Sequence, residues 1–318
     1  MTTAENISRV EPIKLKEEEP AAISPRRLIF RRFLRHRMAV MGTIILFGVI
    51  LYVTIGSIIY TEADSNFNNT SIKLEGPSQE HPFGTDRVGR DVMIRTIYGG
   101  QISLLIGVSA MLVGVSIGTL VGAVSGFYGS ILDSFLGRVT EAMLSIPNLL
   151  ILLVAAKFLG GRIRDLDLFG RTFSGSVVVI ILIVGFTSWM ELSRIVRANV
   201  LSLKEREFVI AARSIGASNL RIIKSHILPN TLAPIIVAAT LSIGAAIITE
   251  AYISYFGLGV QLPSASWGNI LNDGRTQVRQ APWLWISPSV LIILTVLSIN
   301  FVGDGLRDAF DPQSDKTV

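Results

Sequence analysis

Long stretches without a charged residue divide the chain. Residues 39–60, 96–132, 172–190, 225–249 and 280–303 hold no Asp, Glu, Lys or Arg (His226 is taken as neutral), and 15 more uncharged residues separate Glu141 from Lys157. A helix needs about 20 apolar residues to cross the hydrocarbon of a bilayer. The pattern therefore predicts six spans, near 39–60, 103–127, 139–159, 174–193, 230–251 and 283–303, with the third the shortest in apolar length. So many runs in one chain set aside the alternative of buried core helices in a soluble protein. The predicted class is an all-α membrane protein of six transmembrane helices.

Composition sharpens this picture. Of 318 residues 50% are hydrophobic and only 17% charged, with mean hydropathy +0.53, whereas soluble chains carry about 25% charged residues. The chain has no cysteine, which excludes a disulfide scaffold and any thiolate-held zinc or iron–sulfur centre. His36, His81 and His226 lie far apart in sequence, so no metal site is expected. Of the 29 lysines and arginines, 19 fall in the N-terminal tail, the loops after the second and fourth spans, and the C-terminus. By the positive-inside rule both termini are then cytoplasmic. The basic excess follows from topology and not from nucleic-acid binding, because no basic patch is interleaved with stacking aromatics.

These signals divide the chain into segments. Residues 1–23 read as a disordered cytoplasmic tail without the layout of a cleavable signal. Residues 24–38 form a basic amphipathic helix, with Ser24 as its cap and Pro25 in its first turn. That helix either lies on the anionic inner leaflet or is a positive flank of the first span. Residues 39–80 hold the first span and the start of an outer loop, 81–304 a core with spans two to six and a loop at 203–229, and 305–318 a cytoplasmic tail.

Within the spans, Gly114, Gly118, Gly122 and Gly126 recur every fourth residue and share one helix face, a surface for close helix packing. The fifth span has a comparable set from Ala238 to Ala246. Pro147 and Pro288 are placed to break or kink the third and sixth spans. The loop REFVIAARSIGASNLRIIKSHILPN (206–230) reads as two short helices. The first runs over 203–215 and is closed by Gly216 in the left-handed conformation; the second is capped by Ser218 or Asn219 and ends near His226, with Pro229 opening the fifth span. Such a hairpin is shaped to dock in a partner's groove, or serves as an amphipathic connector. Glu250, near the outer end of the fifth span, is either part of a path or a structural hydrogen-bonding group. In EHPFGTDRVGRDV, Gly84 and Gly89 permit tight turns, and Asp86, Arg87, Arg90 and Asp91 suit a charge-paired brace or a contact with cargo. Residues 251–272, broken by glycines and Pro263, read as a dip into the outer leaflet with Trp267 at its interface. Asp304, Arg307, Asp308 and Asp311 are expected to pair with one another or with cytoplasmic loops. No G-x-x-x-x-G-K-[ST] phosphate loop, Ser/His/Asp set or H-E-x-x-H occurs in the sequence. The chain is therefore not expected to be an enzyme, and energy must come from elsewhere.

Four ordered motifs resemble those of ABC importer permeases. Ile210-Ala211-Ala212, Gly216 and Leu228-Pro229 match the EAA loop, with Ile210 where that family has an acidic residue and Glu207 one turn earlier. HPFGTDRVGRD (81–91), TEAYISYFGLGVQLPSASWGN (249–269) and NFVGDGLRDAFDP (300–312) resemble signatures of the dipeptide, oligopeptide and nickel branch, specifically its C-type subunit. The resemblance implies the type I ABC importer permease fold and half of a translocation path for di- or oligopeptides or a related solute. It implies as partners a second homologous permease, two ATPase subunits that bind ATP and Mg, an extracytoplasmic binding protein and the lipid membrane, with no cofactor on this chain and a prokaryotic inner-membrane location. It places ATPase coupling on Glu207, Ala211, Ala212, Arg213, Gly216, Ala217, Ser218 and Asn219, and a path or outer gate on Glu250, Ser254 and Phe256. The extracytoplasmic signature falls on His81, Gly84, Asp86, Arg90 and Asp91. A secondary carrier or channel working without ATPase subunits is the alternative; it fits poorly a chain with neither inverted repeats nor charge pairs evident in its spans.

Overall fold

The computed structural model describes residues 25–168 and 171–311. The 1–23 tail, Ser24 and residues 312–318 lie outside the described residues, so the expectations for them are not addressed by it.

Five helices are long and apolar enough to cross a membrane: α2 (Arg37–Ile59), α4 (Val92–Tyr128), α7 (Gly175–Leu203), α10 (Leu228–Tyr255, continued N-terminally to Asn219) and α12 (Trp283–Phe310). Short helices complete the set: α1 (Pro25–Arg35), α3 (Glu62–Asn66), α5 (Ser130–Ser145), α6 (Asn148–Leu159), α8 (Glu207–Ser214), α9 (Asn219–Ile222) and α11 (Trp267–Gly274). The single third span expected at 139–159 is instead α5 and α6 joined by a bend of 85°. Pro147 stands in that break. Proline disfavours helical backbone in the residue before it, and Ile146 is extended (φ −87°, ψ 130°). Pro288, by contrast, sits inside the unbroken α12. A two-stranded antiparallel ribbon, β1 (Leu166–Leu168) with β2 (Arg171–Phe173), is a small departure from the all-helical expectation.

Two ends of the bundle can be told apart. At one, Tyr98 Oη donates to the Tyr60 carbonyl (2.7 Å), Trp267 Nε1 to that of Thr96 (2.9 Å), and Trp283 Nε1 to that of Thr85 (3.1 Å). This end carries the loops 60–91 and 256–282. At the other end α8 packs beside the last turn of α4, and the start of α1–α2 meets the end of α12. There Arg32 donates to the Asp311 carbonyl (3.0 Å) and His36 Nε2 lies 3.4 Å from Asp308 Oδ2. The first and last described residues thus share the end that holds the 203–227 hairpin. Helix α12 runs on to Phe310 through much of the segment expected to be a tail.

Helix α7 is central, with 61% of its apolar window buried; α2 is peripheral, with 22%. The flanks of α2 expose Ile44, Phe47 and Ile58, as suits a surface against lipid or another membrane subunit. Helix α10 packs on α4, α7, α11 and α12.

The most extensive contact joins α4 to α7, and the absence of side chains makes it. A Cβ on Gly118 would meet the Trp189 carbonyl oxygen at 2.7 Å, on Gly122 that of Ser193 at 2.5 Å, and on Gly126 that of Arg197 at 2.9 Å; on Gly114 it would strike Ser188 Oγ. The stripe read from the sequence is therefore the seat of the α7 backbone. Overpacking a close contact typically costs about 1–3 kcal/mol. Gly122→Leu should lower the melting temperature of the detergent-purified protein markedly, whereas Gly137→Leu, at a site with nothing within 4 Å of a Cβ, should change it little.

Candidate functional site

Three groups of residues were singled out by sequence, and the structure sets each in a different place. The first is the hairpin. Helix α8 ends in a paired-bond cap: Gly216 N–H donates to the Arg213 carbonyl (3.0 Å) and Ala217 N–H to that of Ala212 (3.1 Å), with Gly216 at φ +83°. This is the Schellman arrangement, which needs a left-handed residue at that position. Nothing lies within 4 Å of a Cβ on Gly216, so glycine is required there for its backbone and not for space. Ser218 caps the next helix, its Oγ accepting from Arg221 N–H (3.4 Å).

The expected second short helix is not separate. Helix α9 passes through a π turn at Ile223–Ile227 directly into α10. The sequence reading ended it near His226 and took Pro229 as the entry to the fifth span; the π turn instead carries the helix through to that proline without a break. The first short helix starts at Glu207, four residues later than expected, because α7 continues to Leu203.

One face of the hairpin is anchored. Val209, Ala212, Ile222 and Ile227 are buried with Ala123, Phe127, Val196 and Val200 of α4 and α7, and the Arg213 guanidinium lies 5.9 Å from the Phe127 ring centroid. The other face is open. Glu207, Ala211, Arg213, Gly216, Ser218 and Asn219 are exposed, Ala217 half-buried and Ala212 buried. Large apolar side chains stand among them: Ile210 is 53% exposed, Leu220 60% and Ile215 86%.

The second group centres on Glu250, which is wholly buried. Ser254 Oγ (2.6 Å) and Ser266 Oγ (2.7 Å) donate to its Oε1, and Ser103 Oγ (3.0 Å) to its Oε2. The same hydroxyls accept backbone donors in turn: Ser103 from Trp267 N–H, Ser254 from Val260 N–H and Ser266 from Asn269 N–H. One carboxylate thereby ties α4, α10 and the start of α11. Ser254 belongs to this knot, while Phe256 stands apart, 47% exposed and stacked edge-on to Tyr255. Trp267, expected at the interface, is fully buried, because its indole N–H is committed to the Thr96 carbonyl between α4 and α11. The serines and Trp267 carried no signal of this role; their spacing is ordinary, and only the fold brings them to one carboxylate.

The third group is a charge network at the loop end. Asp86 Oδ2 binds Arg90 Nε (2.6 Å) and Arg95 Nη1 (3.4 Å), and both arginines reach Asp273 Oδ2 (3.1 and 3.4 Å). Asp86 Oδ1 also accepts the N–H groups of Val88 and Arg90, closing the turn that has Gly89 at φ +78°. Gly84 has φ +70°. Asp91 caps α4, accepting from Ile94 N–H (3.0 Å), and holds His81 Nδ1 at 2.7 Å. Arg95 and Asp273 were missed by sequence reading, and they show that charge pairs do enter the bundle; Arg95 sits only four residues into α4.

Among the described residues no group of three or more metal-ligating side chains comes together. A cavity of about 500 Å³ lies between the α5–α6 break, α7 and α10. Toward the hairpin end, Arg197 of α7 grips Asp133 of α5 with two hydrogen bonds (2.5 and 2.7 Å), and Ser125 of α4 adds a third.

Comparison with known proteins agrees with this architecture. Residues 118–316 match the family described as binding-protein-dependent transport system inner membrane component, and residues 24–77 match the N-terminal transmembrane domain of oligopeptide transport permease C. The chain is 39% identical over 297 residues to the dipeptide transport system permease protein DppC of Alkalihalophilus pseudofirmus, covering 93% of each. It is 39% identical over 287 residues to the oligopeptide transport system permease protein OppC of Haemophilus influenzae, covering 89% of this chain and 87% of that protein. Among solved structures, the inward-facing MetNI methionine ABC transporter matches with a TM-score of 0.53 at 21% identity, over 69% of this chain and 98% of the other.

Leaving a buried hydroxyl without its partner costs about 1–3 kcal/mol. Glu250→Ala should therefore lower the melting temperature well below that of Glu250→Gln, which retains an acceptor for two of the three serines and a donor toward the third. Equal losses in the two variants would mean that the hydrogen bonds at this knot do not set its stability.

Proposed function

The chain belongs to the family of binding-protein-dependent transport-system inner-membrane components, and on that premise we propose that it forms half of the path for di- or oligopeptides in an ATP-driven importer. The peptide cargo is supported by the names of its relatives, a dipeptide and an oligopeptide permease. In this reading a second homologous permease completes the path. Two ATPase subunits, which bind ATP and Mg, dock on the hairpins of the two permeases, and an extracytoplasmic binding protein delivers cargo to the opposite end.

The hairpin end is cytoplasmic, with both chain termini. Supporting this are the positive-inside bias of the sequence and the presence of the first and last described residues at that end. The His81–Asp91 turn then faces outward as a charge-paired brace beneath the binding protein.

One observation carries the coupling role: a rigidly capped helix, anchored on one face by α4 and α7, presents Ile210, Ile215 and Leu220 to solvent beyond the span. Isolated apolar residues on a surface are ordinary, but a cluster on a projecting hairpin marks a contact site. Around these apolar residues Glu207, Arg213, Ser218 and Asn219 supply the polar rim, Ala211 and Gly216 let a partner approach closely, and Ala212 and Ala217 hold the hairpin's own fold. Closure of the ATPases on ATP draws two such hairpins together, and the packed helices follow as rigid bodies, exchanging inward- for outward-facing access.

Two substitutions test this. Ile215→Asp places a charge in the docking face without touching the hairpin's own packing, and Gly216→Pro removes the left-handed cap. Both should abolish co-purification of the ATPase subunits and transport, while the amount of chain in the membrane stays the same. Undiminished ATPase association in Ile215→Asp would refute docking through this face.

A further inference from the structure

Helix α7 carries a carboxylate, Glu191, at the hairpin-side end of the span expected at 174–193, three residues before Arg194. Glu191 lies 12 residues before the end of α7 at Leu203 and 16 after its start at Gly175, roughly 18 and 24 Å along the axis. It directly follows the uncharged run 172–190. Its side chain is exposed, and it forms no ion pair among the described residues. A charged group at the edge of the hydrocarbon faces a partner or water in preference to lipid.

What it faces is the cavity of about 500 Å³ between the α5–α6 break, α7 and α10. That volume lies in the range of small-molecule sites. On α7, Val184, Thr187, Ser188, Glu191 and Ile195 follow helical spacing, and Met190 and Leu192 widen the lining beyond that stripe. Ser242 and Thr249 line the opposite wall from α10, and Asn148 stands at the break. The hydroxyls of Thr187, Ser188, Ser242 and Thr249 already donate to carbonyls of their own helices, leaving their oxygens as acceptors. Glu191 is the only charged residue in the lining; the nearby basic residues Arg138, Arg194 and Arg197 line a separate cavity on the hairpin side. The groove is thus a mostly apolar wall carrying a few hydroxyl acceptors and a single negative charge.

We propose that Glu191 is a specificity-determining contact in the passage, engaging the protonated amines of the transported peptide. This rests on the importer reading above. A peptide has an ammonium group at its N-terminus, and lysyl side chains add more. The wall offers those groups a carboxylate and several hydroxyl acceptors, and no cation to compete for the carboxylate. An anionic side chain in the cargo meets repulsion at the same place.

The test uses the complete transporter, with its partner permease, ATPases and binding protein, reconstituted in liposomes. Uptake of three dipeptides with free N-termini, Lys-Ala, Ala-Ala and Ala-Asp, is measured for wild type, Glu191→Gln and Glu191→Asp. A charge-assisted hydrogen bond is worth enough that Glu191→Gln should cut Lys-Ala uptake about tenfold, Ala-Ala less, and Ala-Asp least. Glu191→Asp should restore much of the Lys-Ala to Ala-Asp ratio. Basal ATPase activity and recovery of the assembled complex should be unchanged.

Equal losses for all three peptides, or no loss, would overturn the proposal while leaving the importer reading intact. Loss of the assembled complex in Glu191→Gln would also overturn it, assigning the carboxylate to the second permease. If the wild-type complex moved none of the three peptides, the peptide reading itself would fall, and this proposal with it.

Discussion

Four missing side chains hold this bundle in register. With glycine at positions 114, 118, 122 and 126, the backbone of α7 lies directly against α4, at contacts a Cβ would bring below 3 Å. In a bilayer the hydrophobic effect does not drive helices together, so close van der Waals approach has to supply the attraction. Much else is hung on this pair. The hairpin's buried face rests on Ala123 and Phe127 of α4 and Val196 and Val200 of α7. Arg197, whose carbonyl touches Gly126, sends its guanidinium to Asp133 and so fixes α5. Beside that seam, where Ser188 meets Gly114, α7 also lines the groove that holds Glu191.

Helix α10 is the second organising element. From Asn219 to Tyr255 it is one apolar rod of 37 residues, roughly 55 Å long. Its lower end is the second arm of the hairpin and its upper end is pinned by Glu250. The carboxylate there is fully enclosed and engages three serines from α4, α10 and the start of α11. A buried acid so placed orients rather than reacts. A displacement imposed at Ser218 is therefore shared by the helix that carries the Glu250 knot, and by α11 through Ser266. The π turn at Ile223–Ile227 lies at the junction between the hairpin and this rod, just before Pro229.

The end that carries the 60–91 and 256–282 loops adds a charge network to its apolar packing. Asp86 joins two arginines and accepts the backbone N–H groups of Val88 and Arg90, and Asp273 of α11 ties the loop before α4 to the segment after α10. Buried pairs of this kind recover their desolvation only with good geometry and full hydrogen bonding. The turn around Gly89 supplies both by wrapping its amides onto the carboxylate. Trp267 and Trp283 complete the closure by donating their indole N–H groups to carbonyls of that same loop and of α4.

Membrane class, the position of five spans, the glycine stripe and the left-handed cap at Gly216 were legible in the sequence. Each rests on a local rule: bilayer thickness against apolar length, helical spacing, or a backbone angle that only glycine adopts freely. The third span was placed but not its break, because a proline signals an interruption without its angle. The partners of Glu250 and the burial of Trp267 were not legible, since Ser103, Ser266 and Thr96 lie 147, 16 and 171 residues from the groups they bind. The Arg95–Asp273 pair and the placing of Glu191 in a cavity were hidden for the same reason. A chain read in order shows which residues can satisfy a buried charge, and only the packing of distant helices decides which of them do.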